Sequence, residues 1–179
     1  GCFNLIAQDA TVGHDFTEET KEYILETLEP SHMTGLTLLG GEPMEPRNQK
    51  DVHDLIMAVK EKFGDKRSVW MWTGYIYPGD FNPDNRGARA VTDYSKGILE
   101  NLEVLVDGPF VQDLKSAKLQ FRGSANQHII DMPKSLETGR KVVIQADKDE
   151  DLVMEIYTGA AERRKHKKEE KEREQESNN

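Results

Sequence analysis

Gly35-Leu-Thr-Leu-Leu-Gly-Gly-Glu-Pro43 is a short apolar run stopped by a glycine pair, an acid and a proline. Residues 35–39 read as a buried strand, and the glycines after it let the backbone approach a ligand closely. The next segment is the clearest helix in the chain. Val52, Leu55, Ile56, Val59 and Phe63 fall at i, i+3, i+4, i+7 and i+11, one stripe, with Gly64 as a C-terminal stop. Upstream, residues 17–28 read as a helix with Thr17 as N-cap, Glu18 and Glu19 in the first turn and Pro30 just past the end.

Downstream the alternation continues. Ser68-Val-Trp-Met-Trp72 reads as a second strand ending at Thr73-Gly74, and residues 77–92, rich in Pro, Gly, Asn and Asp, as a long loop. A short helix around Tyr94–Asn101 precedes a third strand, Leu102–Val106, which ends at Asp107-Gly108-Pro109. Lys118–Arg122 and His128–Asp131 read as two further short strands, and Lys141–Gln145 as a weaker one. From about Asp149 a helical pattern with Leu152, Val153, Ile156 and Tyr157 leads into a charged tail. Strands alternating with helices predict an α/β fold with a mainly parallel sheet and chemistry at the C-terminal strand ends. The predicted organisation is an α/β domain over 1–148 and a helical, then highly charged, extension over 149–179.

Composition narrows the function classes. The net charge is −9, and the tail from Glu162 holds seven basic and six acidic groups, which leaves 17 basic and 27 acidic groups in residues 1–161. Such an acidic body argues against broad binding to nucleic-acid phosphates. No apolar run approaches the roughly 20 residues that span a bilayer, so no membrane partner is expected. A single cysteine, Cys2, excludes an internal disulfide framework, and the expected compartment is the cytoplasm.

Each candidate motif has a plain structural reading beside its chemical one. Glu42 after Gly40-Gly41 can receive an ammonium group, or the segment is simply a tight strand-to-helix turn. Asp107 reads first as a turn aspartate bonding its own backbone, and alternatively as a ligand for a ribose hydroxyl or an ammonium. Trp70 and Trp72 share one face of a strand and read as core. Arg122-Gly-Ser-Ala-Asn-Gln127 can present the amides of Asn126 and Gln127 to a ligand, or be a surface hairpin. His14, His32, His53, His128 and His166 show no metal-ligand spacing with each other or with Cys2, and read as structural or solvated.

Taken in order, Gly-Cys-Phe-Asn at 1–4, Gly-Leu-Thr-Leu-Leu-Gly-Gly-Glu-Pro-Met-Glu-Pro-Arg-Asn at 35–48, Trp-Met-Trp-Thr-Gly-Tyr at 70–75, Leu-Val-Asp-Gly-Pro-Phe-Val at 105–111 and Phe-Arg-Gly-Ser-Ala-Asn-Gln-His-Ile-Ile-Asp at 121–131 resemble one family. It is that of the activating proteins of anaerobic (class III) ribonucleoside-triphosphate reductases, which are radical S-adenosylmethionine enzymes. The resemblance covers roughly residues 1–131 and not the segment beyond about residue 133.

It implies a partial, open (β/α) barrel and a [4Fe–4S] cluster held by three cysteines in a C-x3-C-x2-C loop. It also implies reductive cleavage of S-adenosylmethionine to a 5′-deoxyadenosyl radical, which makes a glycyl radical on the large reductase subunit. Position by position, Cys2 matches the third cluster cysteine. Gly40, Gly41 and Glu42 match the motif that holds the methionine amino group, and Asp107 matches the strand-end acid near the adenosyl moiety. Asn126 and Gln127 fall near the S-adenosylmethionine pocket, and Phe3 and Asn4 beside the cluster loop. The first two cysteines of that loop and the strand before them are absent from the sequence, so an N-terminal truncation is expected. The expected partners are the large reductase subunit and a low-potential electron donor such as flavodoxin. The alternatives are an activase of another glycyl radical enzyme and a cluster-free remnant that only binds the reductase or a nucleotide.

Overall fold

The computed structural model describes residues 13–144. Cys2, Phe3 and Asn4, the end of the weak strand at Gln145, the helix expected from Asp149 and the charged tail lie outside these residues.

Strand β1 (Gly35–Leu38), β2 (Ser68–Trp72), β3 (Val104–Asp107), β4 (His128–Asp131) and β5 (Val143–Ile144) form one sheet in the order β1-β2-β3-β4-β5. The first three are parallel, with Leu36 opposite Val69 and Met71 opposite Leu105. Helix α2 (Gln49–Phe63) makes the crossover from β1 to β2, and α3 (Ser95–Glu100) the one from β2 to β3. Helix α1 (Glu18–Thr27) precedes β1, and its N-cap Thr17 accepts a hydrogen bond from the Thr20 amide, as the sequence predicts. Gly64 closes α2 at φ 55°, a left-handed value that glycine adopts without a Cβ penalty.

The second half of the sheet departs from the expected mainly parallel order. β4 runs antiparallel to β3, and β5 antiparallel to β4. Segment 108–127 carries no α-helix, so the chain after β3 turns back directly instead of crossing over. Lys118–Arg122 is not a strand. That stretch is a series of turns and bends in which Phe121 sits at φ 56°, and an isolated bridge between Lys115 and Ser124 flanks it on both sides. A helix that the apolar pattern does not announce, α4 (Met132–Thr138), links β4 to β5. Asp131 caps it by accepting from the Lys134 amide, and Gly139 ends it in the left-handed region. The result is an α/β architecture on an open, mixed sheet.

The helices share one face of the sheet. Leu55, Ile56 and Val59 of α2, Ile98 and Leu99 of α3, and Ile24 and Leu25 of α1 pack with Val69, Met71, Leu105 and Ile130. Trp70, Val104, Val106, Ile129 and Ile144 form a smaller cluster on the other face, with Trp72 beside it. Phe121 lies edge-on to Trp70 at 5.5 Å, and its carbonyl accepts from the Trp72 indole at 2.7 Å.

Two buried polar side chains hold the loops to this frame. Gln49 donates to the carbonyls of Met44 and Ala90 and accepts from the hydroxyls of Thr92 and Ser95, so no polar atom of its amide head is left unpaired. Arg67, at the start of β2, donates through Nε to the Leu28 carbonyl (2.7 Å) and through Nη2 to those of Glu29 and Pro30. Its guanidinium also lies over the Phe63 ring. Helix α1 buries none of its residues fully and has no base in its last turn, so Arg67 is the cation that meets its carbonyl end. Arg67→Ala should lower stability by about 2–3 kcal/mol, the range for lost bonds from a charged donor. Arg67→Lys should recover less than half, because an ammonium cannot reproduce the planar fork. Urea denaturation of the three proteins checks both.

Candidate functional site

The parallel strands β1, β2 and β3 end on the same edge of the sheet, and that edge carries the motifs singled out in the sequence. Past β1, Gly40 and Gly41 take φ values of 82° and 54°. A Cβ at either would touch nothing within 4 Å, so these glycines answer to backbone conformation and leave an open approach. The turn delivers Glu42, whose carboxylate collects three donors. Oε1 accepts from the Met44 amide (2.9 Å) and the Thr73 hydroxyl (2.7 Å), and Oε2 from the Gly74 amide (2.7 Å). Glu42 thereby ties the end of β1 to the end of β2. A cavity of about 700 Å³ opens beside it, lined by His14, Asp15, Gly40, Glu42, Arg47 and Asp51 among others.

Residues 73–77 run from this turn across to β3 as a strap. The Tyr75 amide donates to Thr73 Oγ1, and its hydroxyl donates to Glu45 Oε2 at 3.0 Å. The Tyr75 carbonyl accepts from the Gly108 amide at 2.8 Å, and the Tyr77 amide donates to Asp107 Oδ2 at 2.8 Å. Arg89 lies over the Tyr75 ring and pairs bidentately with Asp80, whose carboxyl it holds below the usual range.

Asp107 is fully buried. Besides the Tyr77 amide it meets Lys141 Nζ at 2.6 Å on Oδ2 and His128 Nδ1 at 3.0 Å on Oδ1, while Lys141 and His128 themselves lie 3.1 Å apart. The turn-aspartate expectation misses these long-range partners. Gln127 points into its own loop: Oε1 accepts from the amides of Gly123 and Ser124, and Nε2 donates to the Gly108 carbonyl. Asn126 donates to the Pro109 carbonyl, and its buried Oδ1 has no hydrogen-bond partner among the described residues. The structure therefore joins Glu42 and Asp107 through the strap and sets the 122–127 loop against Gly108 and Pro109. Sequence reasoning marks Thr73-Gly74-Tyr75 as an unusual strand end, with Tyr75 able to stack on a planar ligand, but misses the hydrogen bonds of Thr73 and Tyr75; it misses Lys141 and reads His128 as structural or solvated. The available signal for His128 was its place at the start of a strand that follows a helix-free connection.

The cluster expectation can be compared with the side chains present. Among the described residues no group of three or more His, Cys, Asp or Glu could hold a metal ion. Cys2, outside them, is the single cysteine of the sequence, so the sequence offers one thiolate to a [4Fe–4S] cluster that takes several. Among the described residues, too, no helix is long and apolar enough to cross a membrane.

Burial, and next the hydrogen bond to Glu45, push the Tyr75 phenol up to about 12. An unfolded tyrosine ionises near 10. The contribution of protonated Tyr75 to stability is thus complete below pH 10 and is lost as pH rises from 10 through about 12. Phenolate absorbance of the protein minus that of Tyr75→Phe should show one ionisation near pH 12. A midpoint near 10 would contradict the burial of this ring.

Two comparisons place the chain among known proteins. The model of the 4Fe-4S single cluster domain family matches residues 1–130. An anaerobic ribonucleoside-triphosphate reductase-activating protein of Vibrio cholerae is 35% identical over 131 residues, 72% of this chain and 77% of the relative. The proteins of that name from Escherichia coli K12 and Enterobacteria phage T4 are 33% and 32% identical over 129 residues, covering 71% and 72% of this chain and 76% and 73% of the relatives. No solved structure matches the chain. Five motifs in order and these long alignments make the chain a member of the anaerobic ribonucleoside-triphosphate reductase-activating protein family.

Proposed function

We propose that this protein activates an anaerobic ribonucleotide reductase by binding S-adenosylmethionine at the C-terminal edge of β1–β3 and generating a glycyl radical on the large reductase subunit. The observation that carries the reading is the open, left-handed Gly40-Gly41 turn beside the Glu42 carboxylate. Among the described residues Glu42 Oε2 has one donor, the Gly74 amide, which leaves it able to accept from the methionine ammonium. Thr73 and the Met44 amide fix the other oxygen, so the carboxylate is oriented before the ligand arrives.

Cys2 would be the thiolate this sequence contributes to a [4Fe–4S] cluster, which when bound would supply the single electron for reductive cleavage of S-adenosylmethionine to methionine and a 5′-deoxyadenosyl radical. Asp107 supports the adenosyl side of the pocket from beneath, and Asn126 and Gln127 shape the loop that borders it. The open sheet is read as part of a partial (β/α) barrel, with residues 1–148 as one unit and 149–179 as its charged extension. A low-potential electron donor such as flavodoxin and the large reductase subunit are its partners.

Two measurements test this on the protein as its gene encodes it, reconstituted anaerobically with iron and sulfide. With a reductant it should convert S-adenosylmethionine to 5′-deoxyadenosine and methionine, and incubation with the reductase should give a glycyl radical signal in electron paramagnetic resonance. Glu42→Ala should weaken S-adenosylmethionine binding about 10- to 100-fold, the worth of a hydrogen bond between charged groups. Unchanged affinity would remove Glu42 from the site.

A further inference from the structure

We infer that the residue that contacts the adenosyl ribose from this part of the edge is His128, with Asp107 and Lys141 as its positioning residues. The inference rests on the binding of S-adenosylmethionine proposed above. Asp107 has no exposed surface, and both of its oxygens are engaged by Tyr77, Lys141 and His128. A carboxylate in that state is out of a ligand's reach. Of the two side chains it holds, Lys141 is 20% exposed and His128 45% exposed.

Antiparallel pairing puts His128 where it is needed. It lies directly opposite Asp107, so it stands on the same edge as the ends of β1, β2 and β3. A parallel β4 would have carried its first residue to the far edge. Adjacent strands are ~4.8 Å apart, so β4 is about 14 Å from β1, a span that a nucleoside joined to an amino acid covers from Glu42.

The ring nitrogen chemistry selects the ligand group. With Nδ1 protonated, the ring donates to Asp107 Oδ1 and leaves Nε2 as an acceptor. With Nδ1 bare, it accepts from Lys141 Nζ, and Nε2–H becomes a donor. Nε2 is therefore matched to a group that both donates and accepts. A ribose hydroxyl does both, whereas an ammonium only donates and a carboxylate only accepts.

The test measures binding, not turnover, on the reconstituted protein with three probes: S-adenosylmethionine, 5′-deoxyadenosine and methionine. His128→Ala should weaken the first two about 3- to 10-fold, the value of one neutral hydrogen bond, and leave methionine unchanged. His128→Gln, whose amide keeps a donor and an acceptor, should recover most of the loss. The His128 ring nitrogen resonances should also shift when 5′-deoxyadenosine is added. Wild-type affinities in His128→Ala, or an equal loss for all three probes, would overturn the inference and leave the Glu42 reading standing. Failure of the wild-type protein to bind S-adenosylmethionine would overturn both.

Discussion

A carboxylate removed from water has to be met by donors, and the Asp107 side chain is removed completely. Its partners come from three places in the chain: the strap after β2, the first residue of β4, and Lys141 just ahead of β5. Satisfying that one acid draws the second half of the sheet against the first. Removing a single partner of such a buried ion pair generally costs more than the pair contributes, since the remaining charge is stranded. The antiparallel turn-back of β4 and the burial of Asp107 are two sides of one arrangement.

Glu42 is the contrasting acid. It is only partly buried, and its donors come from the two neighbouring turns, leaving room for a ligand. Between the two acids runs the strap, and each of its ends is pinned through backbone groups. Tyr75 anchors its middle by ring packing, by its hydroxyl bond to Glu45 and by its carbonyl bond to Gly108. Only the four residues Gly74 to Tyr77 span the backbone amide bonded to Glu42 and the one bonded to Asp107. That makes the edge a connected surface and not a set of independent side chains.

The local half of this structure is legible in the sequence. Thr17 caps its helix, the Val52–Phe63 stripe faces the core with Gly64 at its end, and the three parallel strands appear within two residues of their expected limits. What fails is long-range. An apolar run such as His-Ile-Ile-Asp marks a strand but not its direction, and only the lack of an α-helical pattern between Gly108 and Gln127 hinted at reversal. The Asp107–Lys141 pair joins residues 34 positions apart, and no local pattern records it. Gln127 looked available because its loop is polar, yet its amide is consumed by that loop. The seven-residue α4 had its signals in Asp131, Pro133 and Gly139, but it lacks an apolar stripe to announce it.

Because the helices share one face, the opposite face carries only a small cluster of aliphatic and aromatic side chains. The chain has two tryptophans, and both lie there, tilted against each other at 6.0 Å with Phe121 at their edge. Trp70 is nearly sealed, while Trp72 is only half-buried and hydrogen-bonded to the 108–127 loop. The protein thus carries a built-in optical reporter. Its tryptophan emission comes from one side of the sheet alone, and Trp72, bonded to the Phe121 carbonyl, is placed to report on whatever covers or uncovers that loop.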